Sequence, residues 1–426
     1  MTSARTTTGA DRLLAMFVDN VRRTRDRGLS NIHIEDETVV AGKITVRGRR
    51  VHNFGDCSYL GLGTDGRLRD GARRAIDRFG TSYSSSIAYT AVPLYRDLKE
   101  RMVAIMGAPA ALAPTTTLAH CSALPVLIRA GDVALIDSAV HNSVQMACQL
   151  LTATGIEVQP IPHGDPSELT QAVESALDRT SGKVWYLADG VYSMSGGTAP
   201  FDVLVDLLDQ HDRLWAYVDD AHGFSWRGEG GRGLAVDRMG WHDRLVIAVG
   251  LAKAFGSAGG VVATPDPQLI ELIEMVGPPL SFGGPITPPT LGASVASADI
   301  HLSPELGLLQ AEERDRIDLV NRTAASFGIP LVSFDHTPIF FTEIGRMDTM
   351  LELVDSMLDD GFYLNGAMFP IVPHRRAGLR FTVTNSIEPD AVVAMLERLR
   401  HHMHRTNTLD QVTIDLRRES PSVDLG

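Results

Sequence analysis

The chain has 426 residues, with 39 Lys and Arg against 52 Asp and Glu and a net charge of −13. At 44% apolar and 21% charged residues it has the balance of a globular protein, which excludes a largely disordered chain. The acidic surplus repels phosphate backbones, so sequence-independent nucleic-acid binding is not expected. Cys57, Cys121 and Cys148 are too few for a disulfide framework and form no CxxC pair. That suits a reducing, cytoplasmic setting, and no metal site is read. The N-terminus has neither the apolar run nor the cleavage pattern of a signal peptide. The longest apolar stretch, residues 245–263, contains Lys253 and is rich in glycine and alanine. That composition fits a buried strand and turn, so no membrane span is expected.

In chain order, a helix is predicted over 11–26, then a hairpin pairing 43–46 with 51–54. Helical periodicity covers 67–79 and 94–106. Short β-rich runs follow at 110–113, 133–136, 157–161, 184–188, 214–218, 245–249 and 260–264. Helical patterns at 118–129, 143–154, 167–178 and 203–210 separate most of them. The alternation predicts an α/β fold, with a mostly parallel sheet sandwiched by helices. A Pro- and Gly-rich stretch, 277–289, breaks the rhythm. Beyond it come a long helix over 291–327, a strand pair at 331–334 and 337–344, a helix at 347–359, a strand at 379–384 and a helix at 389–400. The expected organisation is an N-terminal arm and hairpin (1–60), a large domain (61–290), a smaller α+β domain (291–405) and a polar, mobile tail (406–426).

The chemistry concentrates at two strand ends. The run Trp215-Ala-Tyr-Val-Asp-Asp-Ala-His-Gly223 ends an apolar strand in carboxylates, where open α/β sheets bind ligands. Gly250-Leu-Ala-Lys-Ala-Phe-Gly256 places Lys253 among apolar neighbours just past another strand. Desolvation there lowers an amine's pKa and makes it a nucleophile. An amine and a carboxylate on neighbouring strand ends suit pyridoxal phosphate. The lysine forms a Schiff base with its aldehyde, and the carboxylate keeps the pyridine nitrogen protonated, so that the ring accepts electrons. Asp219 takes the ring-nitrogen role; Asp220 points to the other side of the strand. A surface lysine after a strand is the plainer reading of Lys253 taken alone.

With these residues placed, the sequence resembles the α-oxoamine synthases of the fold-type-I pyridoxal-phosphate enzymes, the group of 8-amino-7-oxononanoate synthase and 2-amino-3-ketobutyrate ligase. The matching stretches are Asn53-Phe-Gly-Asp-Cys-Ser-Tyr-Leu-Gly-Leu62, Asp189-Gly-Val-Tyr-Ser-Met-Ser-Gly196, Val218-Asp-Asp-Ala-His-Gly223, Gly228-Glu-Gly-Gly-Arg-Gly233, Lys253-Ala-Phe-Gly256 and Leu379-Arg-Phe-Thr-Val-Thr384. They cover roughly residues 42–400 in the family's order. The resemblance implies that Lys253 holds the cofactor and then acts as base at the substrate α-carbon. It implies that Asp219 pairs with the pyridine nitrogen, that His222 and Ser193 hydrogen-bond near the phenolic oxygen, and that His141 stacks on the ring. Arg380 would grip the substrate carboxylate, a task that suits bidentate pairing. Thr116, Thr117 and Leu118 occupy the phosphate-binding positions at a helix start. Plainer readings remain for several of them: a helix-start residue for His141, turn chemistry for Ser193, a surface charge for Arg380 and simple capping for the threonines.

Two departures stand out. Gly250 replaces the Thr or Ser that usually precedes the lysine by three residues and helps hold the phosphate. Thr116 and Thr117 must then carry more of that task, with Ser281 or Thr287 of a second subunit as further hydroxyls. Cys57 replaces the asparagine of glycine-using members, and thiols are weak hydrogen-bond partners, so an amino acid larger than glycine is expected. Tyr95 stands where many members have His. The implied reaction condenses an amino acid with an acyl thioester, on coenzyme A or a carrier protein, with loss of CO₂. Alternatives are transamination or β/γ-substitution on a larger amino acid, and a non-catalytic partner subunit, against which the joint presence of Lys253, Asp219 and His222 argues. A homodimer is the expected assembly.

Overall fold

The computed structural model describes residues 9–409, and the predicted tail beyond 409 lies outside them. The chain divides into two compact units, one spanning Cys57–Arg314 and one made of the segments before and after it. These units differ from the boundaries expected at 60 and 290, because residues 291–314 belong with the larger unit.

The larger unit is built on a seven-stranded sheet. Its strands run in the order Ala110–Ala113, Gly260–Ala263, Leu245–Gly250, Leu214–Asp219, Val184–Asp189, Val133–Asp137, Glu157–Ile161. Gly260–Ala263 is antiparallel to both neighbours, and all other neighbouring pairs are parallel. The central strands are buried along their length, as parallel strands covered on both faces must be, and their sequences read as near-continuous apolar runs. The outer strand Glu157–Ile161 is more exposed and carries Pro160, which an edge tolerates because it lacks a full set of ladder bonds. The helix Thr116–Leu127 lies in the main apolar core through Ala119, Ala123, Leu124, Val126 and Leu127.

Every strand expected in this unit is present, to within one residue at its ends. The long helix expected over 291–327 is instead two, Pro288–His301 and Glu305–Phe327. Pro304 has no N–H to continue the first, and Ser303 Oγ accepts the Glu305 N–H at 3.3 Å to start the second.

In the other unit, Ile339–Gly345, Ala377–Thr382 and Asn365–Ala367 form an antiparallel sheet with Ala377–Thr382 in the middle. The hairpin Lys43–Val46 and Arg49–Asn53 is joined in parallel by Phe362–Tyr363. No strand forms over 331–334, where one was expected. Val332 donates to Phe341 O at 2.9 Å, but Val332 and Phe334 are 40% and 54% exposed, so extending a ladder there would bury little.

Candidate active site

Three neighbouring parallel strands end in Asp137, Asp189 and Asp219, and the next ends in Gly250, all at the carboxyl edge of the sheet. That edge is where open α/β sheets take ligands. Asp219 is 4% exposed, yet its carboxyl sits below the usual range. Burial alone would raise it; the His120 ring with its hydrogen bond, the charge of Lys253 and the Ala221 N–H outweigh that burial. The contacts are short: Ala221 N–H to Oδ1 at 3.0 Å and His120 Nε2 to Oδ2 at 2.9 Å.

Asp189 is opposite Asp219 in the sheet register. Burial first, then the charge of Asp219, pushes its carboxyl well above the usual range. It accepts the His141 N–H at 3.0–3.1 Å and so fixes the start of the helix Asn142–Ala153, with His141 at the cap position. His141 is exposed, and its Nδ1 meets Ser143 Oγ at 2.7 Å. Protein packed against the ring lowers its proton affinity; Asp219 opposes that, and Lys253 and His120 add to it. His141 is thus an exposed ring near Asp219 and Lys253 with a lowered proton affinity, which suits stacking on a planar cofactor. His222 is buried, and its Nδ1 lies 2.7 Å from Tyr59 Oη. Ser193 lies, half-buried, in the turn after Val184–Asp189.

Asp220 faces away from this group. Its Oδ2 accepts the Ala235 N–H at 2.9 Å, Oδ1 has no hydrogen-bond partner, and burial pushes its pKa up to about 8. Gly190, Gly223 and Gly233 crowd it so closely that a Cβ on any of them would collide with its carboxyl. Asp220 is thus a neutral acid packed under the strand end, on the opposite side from Asp219.

Thr116 and Thr117 open the helix Thr116–Leu127, capped by the Thr115 side chain on the Leu118 N–H at 3.1 Å. The Gly250 position explains itself from this side: a Cβ there would stand 2.8 Å from Thr116 Oγ1 and 3.3 Å from Ala221 Cβ. The threonine hydroxyl on the helix fills the room that a side chain on the strand would need.

Lys253 is half-buried, and its charge acts on Asp219, Asp189 and His141 together. The larger unit thus brings together Lys253, Asp219, His141, His120 and Asp189 at one strand-end edge, with Thr116 beside Gly250 and His222 on Tyr59. Arg380 belongs to the other unit, buried in the middle strand opposite Phe341 and Asn365. Two residues of the cluster carried no role in the sequence reading. Asp189 opened a quoted motif, but only the register with Asp219 shows what it does. His120 left no motif at all; its one signal was a lone titratable nitrogen base in a helix of apolar and small hydroxyl residues. Tyr95 gains a meaning too: its hydroxyl accepts the Ile286 N–H and ties down the 277–289 stretch.

A mostly parallel sheet carrying this cluster at its carboxyl edge defines a fold-type-I α/β enzyme. Residues 50–399 match the aminotransferase class I and II family. An 8-amino-7-oxononanoate synthase of Geobacter sulfurreducens is 31% identical over 349 residues, covering 80% of this chain and 86% of that protein. One from Symbiobacterium thermophilum is 28% identical over 381 residues, covering 87% and 93%. Among solved structures, a serine palmitoyltransferase of S. paucimobilis with bound PLP–myriocin superposes with a TM-score of 0.83 at 18% identity, covering 94% of this chain and 99% of that one. The chain belongs to the aminotransferase class I and II family, within its α-oxoamine synthase group. Among the described residues no helix is long and apolar enough to cross a membrane.

Proposed function

We infer that this chain is a pyridoxal-phosphate-dependent acyltransferase that condenses an amino acid with an acyl thioester, with loss of CO₂. The observation that carries the reading is a buried carboxylate, Asp219, kept charged at a strand end by the His120 ring and its hydrogen bond first and by the charge of Lys253 after it. A charged buried acid is costly unless something cationic completes it, and a protonated pyridine nitrogen does so. Bound there, the cofactor supplies an electron sink for the bond broken at the α-carbon.

The chain's own residues would divide the work as follows. Lys253 anchors the cofactor and moves the α-proton. Asp219 holds the proton on the ring nitrogen. The exposed ring of His141 covers one cofactor face, and His222 and Ser193 hydrogen-bond the phenolic oxygen. Thr116 and Thr117, with the N–H groups of their helix start, hold the phosphate, Leu118 lying beside them. Arg380 takes the substrate carboxylate. The thioester is carried by coenzyme A or by a carrier protein. Cys57, half-buried, leaves both less polarity and more room than asparagine, so the amino acid is larger than glycine. The test mixes purified protein and PLP with single amino acids, following α-proton exchange in D₂O, then adds acyl thioesters and follows CO₂. An amino acid larger than glycine should exchange fastest and give thioester-dependent CO₂. Glycine in first place removes the Cys57 argument. Product without CO₂ replaces condensation by transamination or substitution.

The working form is a cytoplasmic homodimer. Phe282 and Tyr89 are 88% and 84% exposed. They flank a contact in which Ser86 Oγ donates to Ser281 O at 2.5 Å, so two large aromatics stand in water on one tethered surface. Such surface is covered in stable assemblies. Ser281 and Thr287 of the same stretch are the hydroxyls that a second copy would offer to the phosphate. Sedimentation equilibrium should give twice the chain mass of 46.1 kDa. A monomer that retains PLP at low concentration overturns the dimer.

A further inference from the structure

His120 is fully buried and lies between two partners on one strand, with Nδ1 2.8 Å from Tyr217 Oη and Nε2 2.9 Å from Asp219 Oδ2. Burial drives the Tyr217 phenol far above its ordinary pKa, so it keeps its proton and can donate it to Nδ1. That places the ring proton on Nε2, where it donates to Asp219. With the Ala221 N–H on the other oxygen, both carboxylate oxygens are held and the carboxyl has one rotamer. We propose that His120 is a positioning residue that, backed by Tyr217, keeps Asp219 oriented and charged for the pyridine nitrogen.

The groups facing this chain of contacts are few. Tyr217 and Asp219 lie on the strand. Cys121 and Cys148 lie near the phenol, and Asp189, His141 and Lys253 near the carboxylate. His120 Nε2 holds Asp219 Oδ2 at 2.9 Å, so losing that donor is expected to be felt at the ring nitrogen. A hydrogen bond to a charged group in a buried site is worth about ten- to a hundredfold in an equilibrium constant.

The inference rests on the pyridoxal-phosphate reading, and the experiment separates the two. Parent, His120→Asn and Tyr217→Phe proteins are titrated with PLP by fluorescence. The loaded proteins are then titrated with base while the visible band is followed, and the melting temperature of each cofactor-free protein is recorded. The parent should bind PLP and show a visible band; a parent that does neither ends both readings. His120→Asn should weaken PLP about ten- to a hundredfold and move the midpoint of the visible band to higher pH, because a ring that keeps its nitrogen proton less well withdraws less charge from the lysine-linked end. Tyr217→Phe keeps the packing and should move the midpoint the same way by less, which decides the matter if His120→Asn does not fold. Unchanged affinity and midpoint in the folded variants, with only the melting temperature lowered, reduces His120 to a packing residue and overturns the inference.

Discussion

Asp219→Asn is expected to keep the fold and lose at least about 10²-fold in turnover, the loss typical when a preorganised charge is removed from a reacting site. Asparagine has the same shape, and its oxygen can still accept the Ala221 N–H. Its amide nitrogen, however, faces His120 Nε2, which must give up its proton and become the acceptor. The Tyr217–His120 pair then has to reverse, and the site keeps neither the charge nor the polarity that a protonated pyridine needs. Steady-state turnover at saturating PLP, with circular dichroism as the fold control, checks this; unimpaired turnover removes Asp219 from the ring-nitrogen role. The same carboxyl also carries an acid-side signature. Its folded pKa is depressed, so its contribution to stability is complete above the unfolded carboxylate value and is lost as pH falls through the folded one. The melting temperature of the parent should therefore fall more steeply with acid than that of Asp219→Asn.

Lys253→Ala should be the more damaging change. It removes both the covalent anchor and the group that moves the α-proton, and the proton transfer alone is worth about 10²–10⁴-fold. It also withdraws a positive charge that lowers Asp219 and Asp189, so both carboxyls should become harder to ionise. Borohydride treatment of the parent should leave the cofactor on the peptide containing Lys253, and the variant should carry none there while still taking up PLP reversibly. A label elsewhere in the parent, or activity within tenfold in the variant, removes Lys253 from its role.

Much of this arrangement was legible in the sequence because its signals are local. A buried parallel strand is a run of apolar residues, so the strands over 133–137, 184–189 and 214–219 announced themselves, and at the last of them the acid Asp219 stood out as well. What was hidden depends on registers and crossings. Asp189 matters because it stands opposite Asp219, and His120 because the helix Thr116–Leu127 crosses the Asp219 strand. Neither separation has a pattern that a chain read in one dimension can reveal. The break at Pro304 was readable and passed over, since apolar periodicity continues on both sides of it. The absent strand at 331–334 failed for the opposite reason, since alternation was there but no covering surface.

The close fit of Thr116 over Gly250 also bears on how such a chain changes through time. With Oγ1 only 2.8 Å from where a Cβ would sit, restoring a hydroxyl-bearing residue at position 250 overpacks the strand end, at a cost of about 1–3 kcal/mol. Trimming Thr116 first removes the proposed phosphate hydroxyl that stands against position 250 and leaves Thr117 to carry the helix's share. Each single step is therefore worse than either end state, and the pair acts as a ratchet. A hydroxyl at 250 and one at 116 exclude each other in this packing, so these two positions should change together or not at all among descendants of this chain.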